Sequence, residues 1–422
     1  MPDAPGSTLL YAQSGGVTAV INASALGVIE AARRHGRPVL AARNGILGVL
    51  GEDLLSLDGL GAEDLAALGR SPGGAFGSCR FDLDPPASNP AQARRVVDVL
   101  RAHGVGVFLY NGGNGSMRTV LDVAEAARLA GYPLQCLGIP KTVDNDLEGT
   151  DCSPGYGSSA RFLATAMREA GLDVASMVGS RGRLFIMEVM GRNAGWLAAA
   201  TGLARRQDDD PPHIILVPER PFDEAAFSAR VEHWVGRLGY CAVAVAEGLR
   251  CPDGRLLAEQ ERDTLGHIQL GGVGAILAHR LHRRFGYKAH VAVPDYLQRS
   301  PGHWVSGTDW AQARAVGAAA VDLAVSGADK VMTTVVRESD APYRWRVGSV
   351  ALAAVADLER RLPLEFLDPE GGGLSEAGRR YLAPLVAGKY TVPCPDGLPD
   401  YPVLRLPDVA KRLPAYGGDE QP

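Results

Sequence analysis

Lys141, Thr142, Asp144 and Asp146 fall within six residues of one another, inside the stretch LGIPKTVDNDLEGTDCSPGYGSS that runs from Leu137 to Ser159. The apolar run from Leu134 to Ile139 predicts a short buried strand. The polar groups therefore sit where a strand of an α/β fold opens into a ligand crevice. A lysine can neutralise phosphate, one carboxylate can take a proton from a hydroxyl, and a second can hold a metal ion. Together these are the tasks of phosphoryl transfer to an alcohol. An isolated Asp-Asn-Asp would be an ordinary turn, because both residue types are common there. The surrounding elements argue for more than a turn.

Leu9 to Gln13 predicts a strand, Ser14-Gly15-Gly16 a turn, and the recurrence of Val20, Ile21, Ala25, Val28, Ile29 and Ala32 a helix. Glycines there let backbone N–H groups approach an anion at a helix N-terminus. A plain tight turn would look the same. The unit recurs, however: strand Val105 to Tyr110, then Asn111-Gly112-Gly113-Asn114-Gly115-Ser116, then a helix through Ala130. Two such loops facing one crevice could grip two phosphates. The loop Gly73 to Ser78 is glycine-rich enough to lie near a ligand, with Arg80 just after it. A strand Leu184 to Val189 is flanked by Arg181, Arg183 and Arg192 and runs into Met190-Gly191-Arg192. Arginines around such a turn suit a phosphorylated substrate through bidentate contacts, although Arg181 fits ordinary surface charge better.

Glu247 ends the strand Cys241 to Ala246, the usual place for a ligand-contacting acid. Leu265 to Gly272 is a third glycine-bounded element, and its His267 suits a structural or substrate-contacting role. Pro294-Asp295-Tyr296-Leu297-Gln298-Arg299 again puts polar groups after a strand. Further on, the pattern predicts a helix Trp310 to Val325, a strand Val331 to Val336, a helix Ser349 to Arg361, and a Pro- and Gly-rich tail on the surface. The alternation of strands and helices implies parallel sheets covered by helices.

The chain has 422 residues, enough for two or three domains. A 46% hydrophobic and 22% charged composition fits a globular protein with a large core. A net charge of −5 argues against a general nucleic-acid binder. Six scattered cysteines without a CxxC pair suit reduced thiols in a cytoplasm. No export signal and no membrane span are expected, since no apolar run approaches the roughly 20 residues a span requires. There is no G-x-x-x-x-G-K-[ST]. Gly155-Tyr-Gly157-Ser-Ser-Ala160 mimics a dinucleotide fingerprint but follows Ser153-Pro154 instead of a strand.

GIPKTVDNDL followed by PGYGS resembles the phosphofructokinase family, and specifically its pyrophosphate-dependent bacterial branch. AQSGGVTAVIN, the MGR segment and YLQRS extend the resemblance from the first glycine loop to about Arg299. It implies two doubly wound, Rossmann-like α/β domains with the active site in the cleft between them. Residues 1–152 plus about 268–318 are expected to bind the phosphoryl donor. Residues 153–267 plus about 319–422 are expected to bind the sugar phosphate and carry the tail.

By the same resemblance, Asp144 matches the base that accepts the proton of the C1 hydroxyl of fructose 6-phosphate. Asp146 and Asn114 match positions near a catalytic Mg2+. Gly15, Gly16, Gly113 and Lys141 match donor contacts. Thr142, Val143, Asp144, Met190, Gly191, Arg192, Glu247, Tyr296 and Arg299 match sugar-phosphate contacts. Arg183 matches an arginine that reaches the phosphate bound in a neighbouring subunit, which implies a homodimer or homotetramer.

Two positions bear on the donor. Lys141 is typical of the pyrophosphate branch, where its ammonium would stabilise orthophosphate as leaving group. At Gly115, by contrast, pyrophosphate enzymes usually carry Asp, which repels the α-phosphate of ATP. The resemblance favours pyrophosphate, with ATP as the alternative donor. Asn114 and Gly115 also leave a weakly catalytic, regulatory sugar-phosphate-binding subunit as a further alternative, against which Asp144, Asp146 and Arg192 stand. Arg118 is unusual at its position, and the resemblance assigns it no role.

Overall fold

The computed structural model describes residues 8–179, 182–258, 272–369 and 372–417. The strands are β1 (Thr8–Gln13), β2 (Val39–Ala42), β3 (Leu54–Ser56), β4 (Val105–Gly112), β5 (Gln135–Pro140), β6 (Gly182–Val189), β7 (Ile214–Leu216), β8 (Cys241–Ala246), β9 (Lys288–Ala292), β10 (Val331–Asp340) and β11 (Tyr343–Ala351). They form a seven-stranded sheet of order β11-β10-β5-β4-β1-β2-β3 and a four-stranded sheet of order β7-β8-β6-β9. The central strands of the first sheet and all pairs of the second run parallel, while β3 and β11 close the first sheet's edges antiparallel. Strand β4 is buried along its whole length, as its unbroken apolar run requires of a parallel strand covered on both faces.

Helices are set by local chemistry. Asn89 caps the helix Pro90–Ala102, whose proline stands where no N–H is needed. Asp223 and Ser306 cap Glu224–Leu238 and Gly307–Val325 in the same way. Helix Ile21–Arg34 packs on Gly307–Val325 at glycine contacts. A β-carbon on Gly27 would stand 2.0 Å from the Arg314 carbonyl oxygen, and one on Gly317 2.0 Å from that of Ser24. No other residue type permits that approach.

Asp309, on the helix that packs on the first sheet's helices, reaches across to the second core. Its carboxylate accepts from the Gly155 N–H at 2.8 Å, the Ser158 N–H at 2.9 Å and the Ser158 hydroxyl at 2.6 Å. This satisfies the first turn of helix Tyr156–Ser176, which carries Tyr156, Leu163 and Met167 into the core around Trp196.

The parallel, helix-covered architecture agrees with the expectation, but the division of the chain does not follow the expected segments. Strand β9, within 268–318, pairs with β6 in the second sheet. Strands β10 and β11, within 319–422, join the first sheet through β5. Leu362, Leu367 and Tyr381 return to the second core. The tail then lies back over β3, where the Ser56 N–H donates to the Pro407 carbonyl and the Val409 N–H to that of Leu54. Sheet membership depends on which distant strand offers a free edge, and local periodicity does not carry that. The expected helix Ser349 to Arg361 is also corrected: residues 343–351 are a strand with alternating exposure, followed by a single short turn at Leu352–Ala354. Arg181, and the element Leu265 to Gly271 with His267, lie outside the described residues.

No helix among the described residues is long and apolar enough to cross a membrane.

Candidate active site

Burial alternates along the loop after β5. Val143, Asn145 and Leu147 are buried, whereas Thr142, Asp144 and Asp146 are half-buried and share the other side. Asn145, at φ +55°, accepts from the Ser153 N–H at 2.9 Å and so fixes the loop from within. The Val143 side chain belongs to the second core, which leaves only its backbone for a ligand. The Thr142 hydroxyl accepts from the Asp144 N–H at 3.1 Å and lies 3.4 Å from the Asp144 carboxylate.

The ends of β1, β4 and β5 bring the two glycine loops to this stretch. The Ser14 N–H donates to the Asn111 carbonyl and the Lys141 N–H to that of Gly112. The Ser116 hydroxyl bonds the Ser14 hydroxyl at 2.9 Å. Gly15, at φ +74°, takes a left-handed turn that favours glycine. Lys141 is buried, and its Nζ donates to the Gly16 carbonyl at 2.7 Å. A β-carbon on Gly16 would stand 2.9 Å from Arg299 Nη1 and 3.6 Å from Arg80 Nη2. Three cations thus converge on one glycine pair. Gly113 precedes helix Asn114–Leu129, whose first turn has no side-chain cap and is open to an anion.

Burial pushes the Lys141 ammonium down to about 8; the Asp144 and Asp146 carboxylates hold it up, and Arg299 and Arg80 push it further down. Burial likewise raises Asp144, opposed by Lys141, the Thr142 hydroxyl and the two arginines. Burial and then Asp144 raise Asp146 to about 7. Asn114 Nδ2 donates to the Asp146 carbonyl at 3.4 Å, while Asn114 Oδ1 is buried without a partner among the described residues. An orphaned amide oxygen on a side chain that bonds the Asp146 backbone fits one ligand of a divalent cation. Among the described residues no group of three or more His, Cys, Asp or Glu could hold a metal. A cation here would share phosphate oxygens with the protein, as Mg2+ commonly does.

The second sheet presents the C-terminal ends of β6, β8 and β9 to the same cleft. The Gly191 N–H donates to the Glu247 carboxylate at 3.3 Å. Gly191 has φ +133°, and a β-carbon there would stand 2.5 Å from the Ala194 carbonyl. Burial raises Glu247 to about 7, with Gly191 opposing and Asp144, Glu188 and Asp295 adding, so Glu247 and Asp144 sense each other across the cleft. Arg192 and Tyr296 are exposed, and the Arg299 guanidinium lies 3.9 Å from the Tyr296 ring centre. Arg299, expected with the sugar phosphate, is placed against Gly16.

Arg183 is not brought to this site. It lies seven residues before Met190, and a strand rising about 3.3 Å per residue puts it at the far end of β6. There it is exposed, with Tyr287 beside it in a groove of about 880 Å³.

Three residues escaped the sequence reading. In the sequence Arg80 stands out only as following a loop. Gln298 is buried, and its Oε1 accepts from the Met190 N–H at 3.1 Å, which fixes the start of the Met190-Gly191-Arg192 turn. Asp309 locks the helix after the central stretch. Only Gln298 carried a signal, inside YLQR. Arg118 pairs with Asp122 one turn on at 3.2 Å and reaches Asp357 at 3.9 Å.

Residues 8–324 match the family model "Phosphofructokinase". A relative from Xanthomonas campestris, named pyrophosphate–fructose 6-phosphate 1-phosphotransferase, is 52% identical over 97% of this chain and 99% of its own. One of the same name from Methylococcus capsulatus is 50% identical over 96% and 97%. The crystal structure of a pyrophosphate-dependent phosphofructokinase from Nitrosospira multiformis superposes with a TM-score of 0.89 at 44% identity, covering 97% of this chain and 99% of that one. With its two α/β sheets, its paired glycine loops and these relatives along its whole length, the chain belongs to the phosphofructokinase family.

Proposed function

We propose that this protein transfers a phosphoryl group reversibly from pyrophosphate to the C1 hydroxyl of fructose 6-phosphate. The products are fructose 1,6-bisphosphate and orthophosphate. The reading is supported by full-length relatives named for that reaction. The observation that carries it is the buried Lys141 ammonium on the Gly16 carbonyl, with Arg80 and Arg299 beside it. Orthophosphate is a small, highly charged leaving group and needs fixed cations next to it.

Asp144 takes the proton of the C1 hydroxyl as its oxygen attacks the near phosphorus. The bond from that phosphorus to the bridging oxygen breaks, and the electron pair leaves with orthophosphate. Lys141, Arg80 and Arg299 neutralise the donor. Asp146 and Asn114 Oδ1 would hold Mg2+, which when bound spreads the charge of the transferring group. Thr142, Glu247 and the turn Met190 to Arg192 orient the sugar, and Gln298 holds that turn.

Arg183 acts in a partner's site within a homo-oligomer. Its exposure at the far end of β6 supports this, as do Val291, Val293, Tyr296 and Leu297, which are exposed on and just after the edge strand β9. The compartment is the cytoplasm, supported by cysteines that are all free.

A second reading, ATP as donor, rests on Gly115, where, among the described residues and outside its own helix and chain neighbours, an added β-carbon meets within 4 Å only Asp82 Oδ1, at 3.7 Å. A coupled assay of fructose 6-phosphate with each donor tests the choice. Pyrophosphate is expected to give the higher kcat/KM, and a preference for ATP would overturn the reading.

A further inference from the structure

Two side chains of the segment after Cys79 face the donor crevice. Arg80 Nη2 stands 3.6 Å from the β-carbon position of Gly16, and Asp82 Oδ1 stands 3.7 Å from that of Gly115. The glycine loops that carry Gly16 and Gly115 are tied together by the Ser116–Ser14 hydroxyl bond. Arg80 to Asp82 lies outside helix and turn. In extended chain, residues two apart share a face and stand roughly 7 Å from one another. The crevice therefore meets a cation and, one step along, a carboxylate. Asp82 is exposed and has no hydrogen-bond or ion-pair partner among the described residues.

The reacting end of the donor has to lie inward, where Lys141 and Asp144 are. The leaving group then extends outward along the glycine loops, past Lys141 to Arg80. We propose that Asp82 is a specificity-determining residue that limits the length of the donor. A two-phosphorus anion ends within reach of Lys141, Arg80 and Arg299. A donor prolonged by another phosphate and a nucleoside must bring that phosphate against the Asp82 carboxylate. Gly115 places no side chain in the same space, so charge, not bulk, is the obstacle. Like charges about 4 Å apart near a protein surface repel strongly enough to change an equilibrium by about tenfold. The inference rests on pyrophosphate being the donor.

The test uses the full-length enzyme and its variants Asp82→Asn and Asp82→Ala, with fructose 6-phosphate saturating. The competitive inhibition constants of MgATP and of methylene diphosphonate against pyrophosphate are measured for each. The expected result is a fall in the MgATP constant of about tenfold in both variants, with a smaller change for the two-phosphorus analogue. A MgATP constant within twofold of wild type in both variants, or an equal change for both inhibitors, overturns the role of Asp82. Absence of pyrophosphate-dependent turnover in the wild type overturns the donor reading instead, so the two failures are distinguishable.

Discussion

Lys141 Nζ donates to the carbonyl oxygen of Gly16 at 2.7 Å, which fixes a buried ammonium against the first glycine loop. The lysine comes from the end of β5 and the glycine from the end of β1, with β4 between them in the sheet. Replacing Lys141 by Met keeps the stem and removes the charge. Because the lost group stabilises the leaving phosphate, kcat/KM for pyrophosphate should fall about 10² to 10³-fold, the usual effect of removing one transition-state donor. Steady-state kinetics of Lys141→Met check this, and a loss under threefold would exclude the lysine from leaving-group stabilisation.

The same ammonium sets a pH dependence. With its pKa pushed down to about 8, it is charged below that pH and neutral above. The profile of kcat/KM for pyrophosphate, which reports the free enzyme, should therefore decline above about pH 8. In Lys141→Arg the cation persists throughout, and the decline should disappear. An identical alkaline limb in that variant would assign it to another group.

Asp144→Asn should lower kcat by about 10² to 10⁴-fold, the range for removal of a general base. Fructose 6-phosphate binding, read by calorimetry, should change far less, because the proton is taken only as the new bond forms. Near wild-type kcat would remove Asp144 from proton transfer.

Much of this site was legible before any coordinates. Thr142, Asp144 and Asp146 were legible as polar groups gathered just after a strand; that they share one side of the loop was not, because Asn145, the buried residue between the two acids, is itself polar. The glycine loops were legible as strand–glycine–helix units. Arg80 was not, because nothing local distinguishes it from a surface arginine; its place depends on the Gly15 N–H donating to the Cys79 carbonyl. The sheet partners of β9, β10 and β11 were illegible for a related reason. A strand's period of two shows that it has two faces, but not which distant strand receives its edge.

Gln298 leads to a prediction of positioning. Its Oε1 holds the Met190 N–H at 3.1 Å, and its side chain is buried. Gln298→Leu leaves that N–H unpaired, at a cost of about 1–3 kcal/mol if it stays buried. KM for fructose 6-phosphate should rise severalfold more than KM for pyrophosphate, and Gln298→Glu, which keeps an acceptor, should recover part of the loss. Equal effects on both substrates would indicate a merely structural role.

If orthophosphate, not a nucleotide, is the leaving group, the reverse reaction must form pyrophosphate without any nucleotide. Purified enzyme is incubated with fructose 1,6-bisphosphate, orthophosphate and Mg2+, with no nucleotide present, and followed by 31P NMR. The expected result is a growing pyrophosphate resonance, matched by fructose 6-phosphate and lost in Asp144→Asn. No pyrophosphate in this mixture, together with ATP formation when ADP replaces orthophosphate, would contradict it.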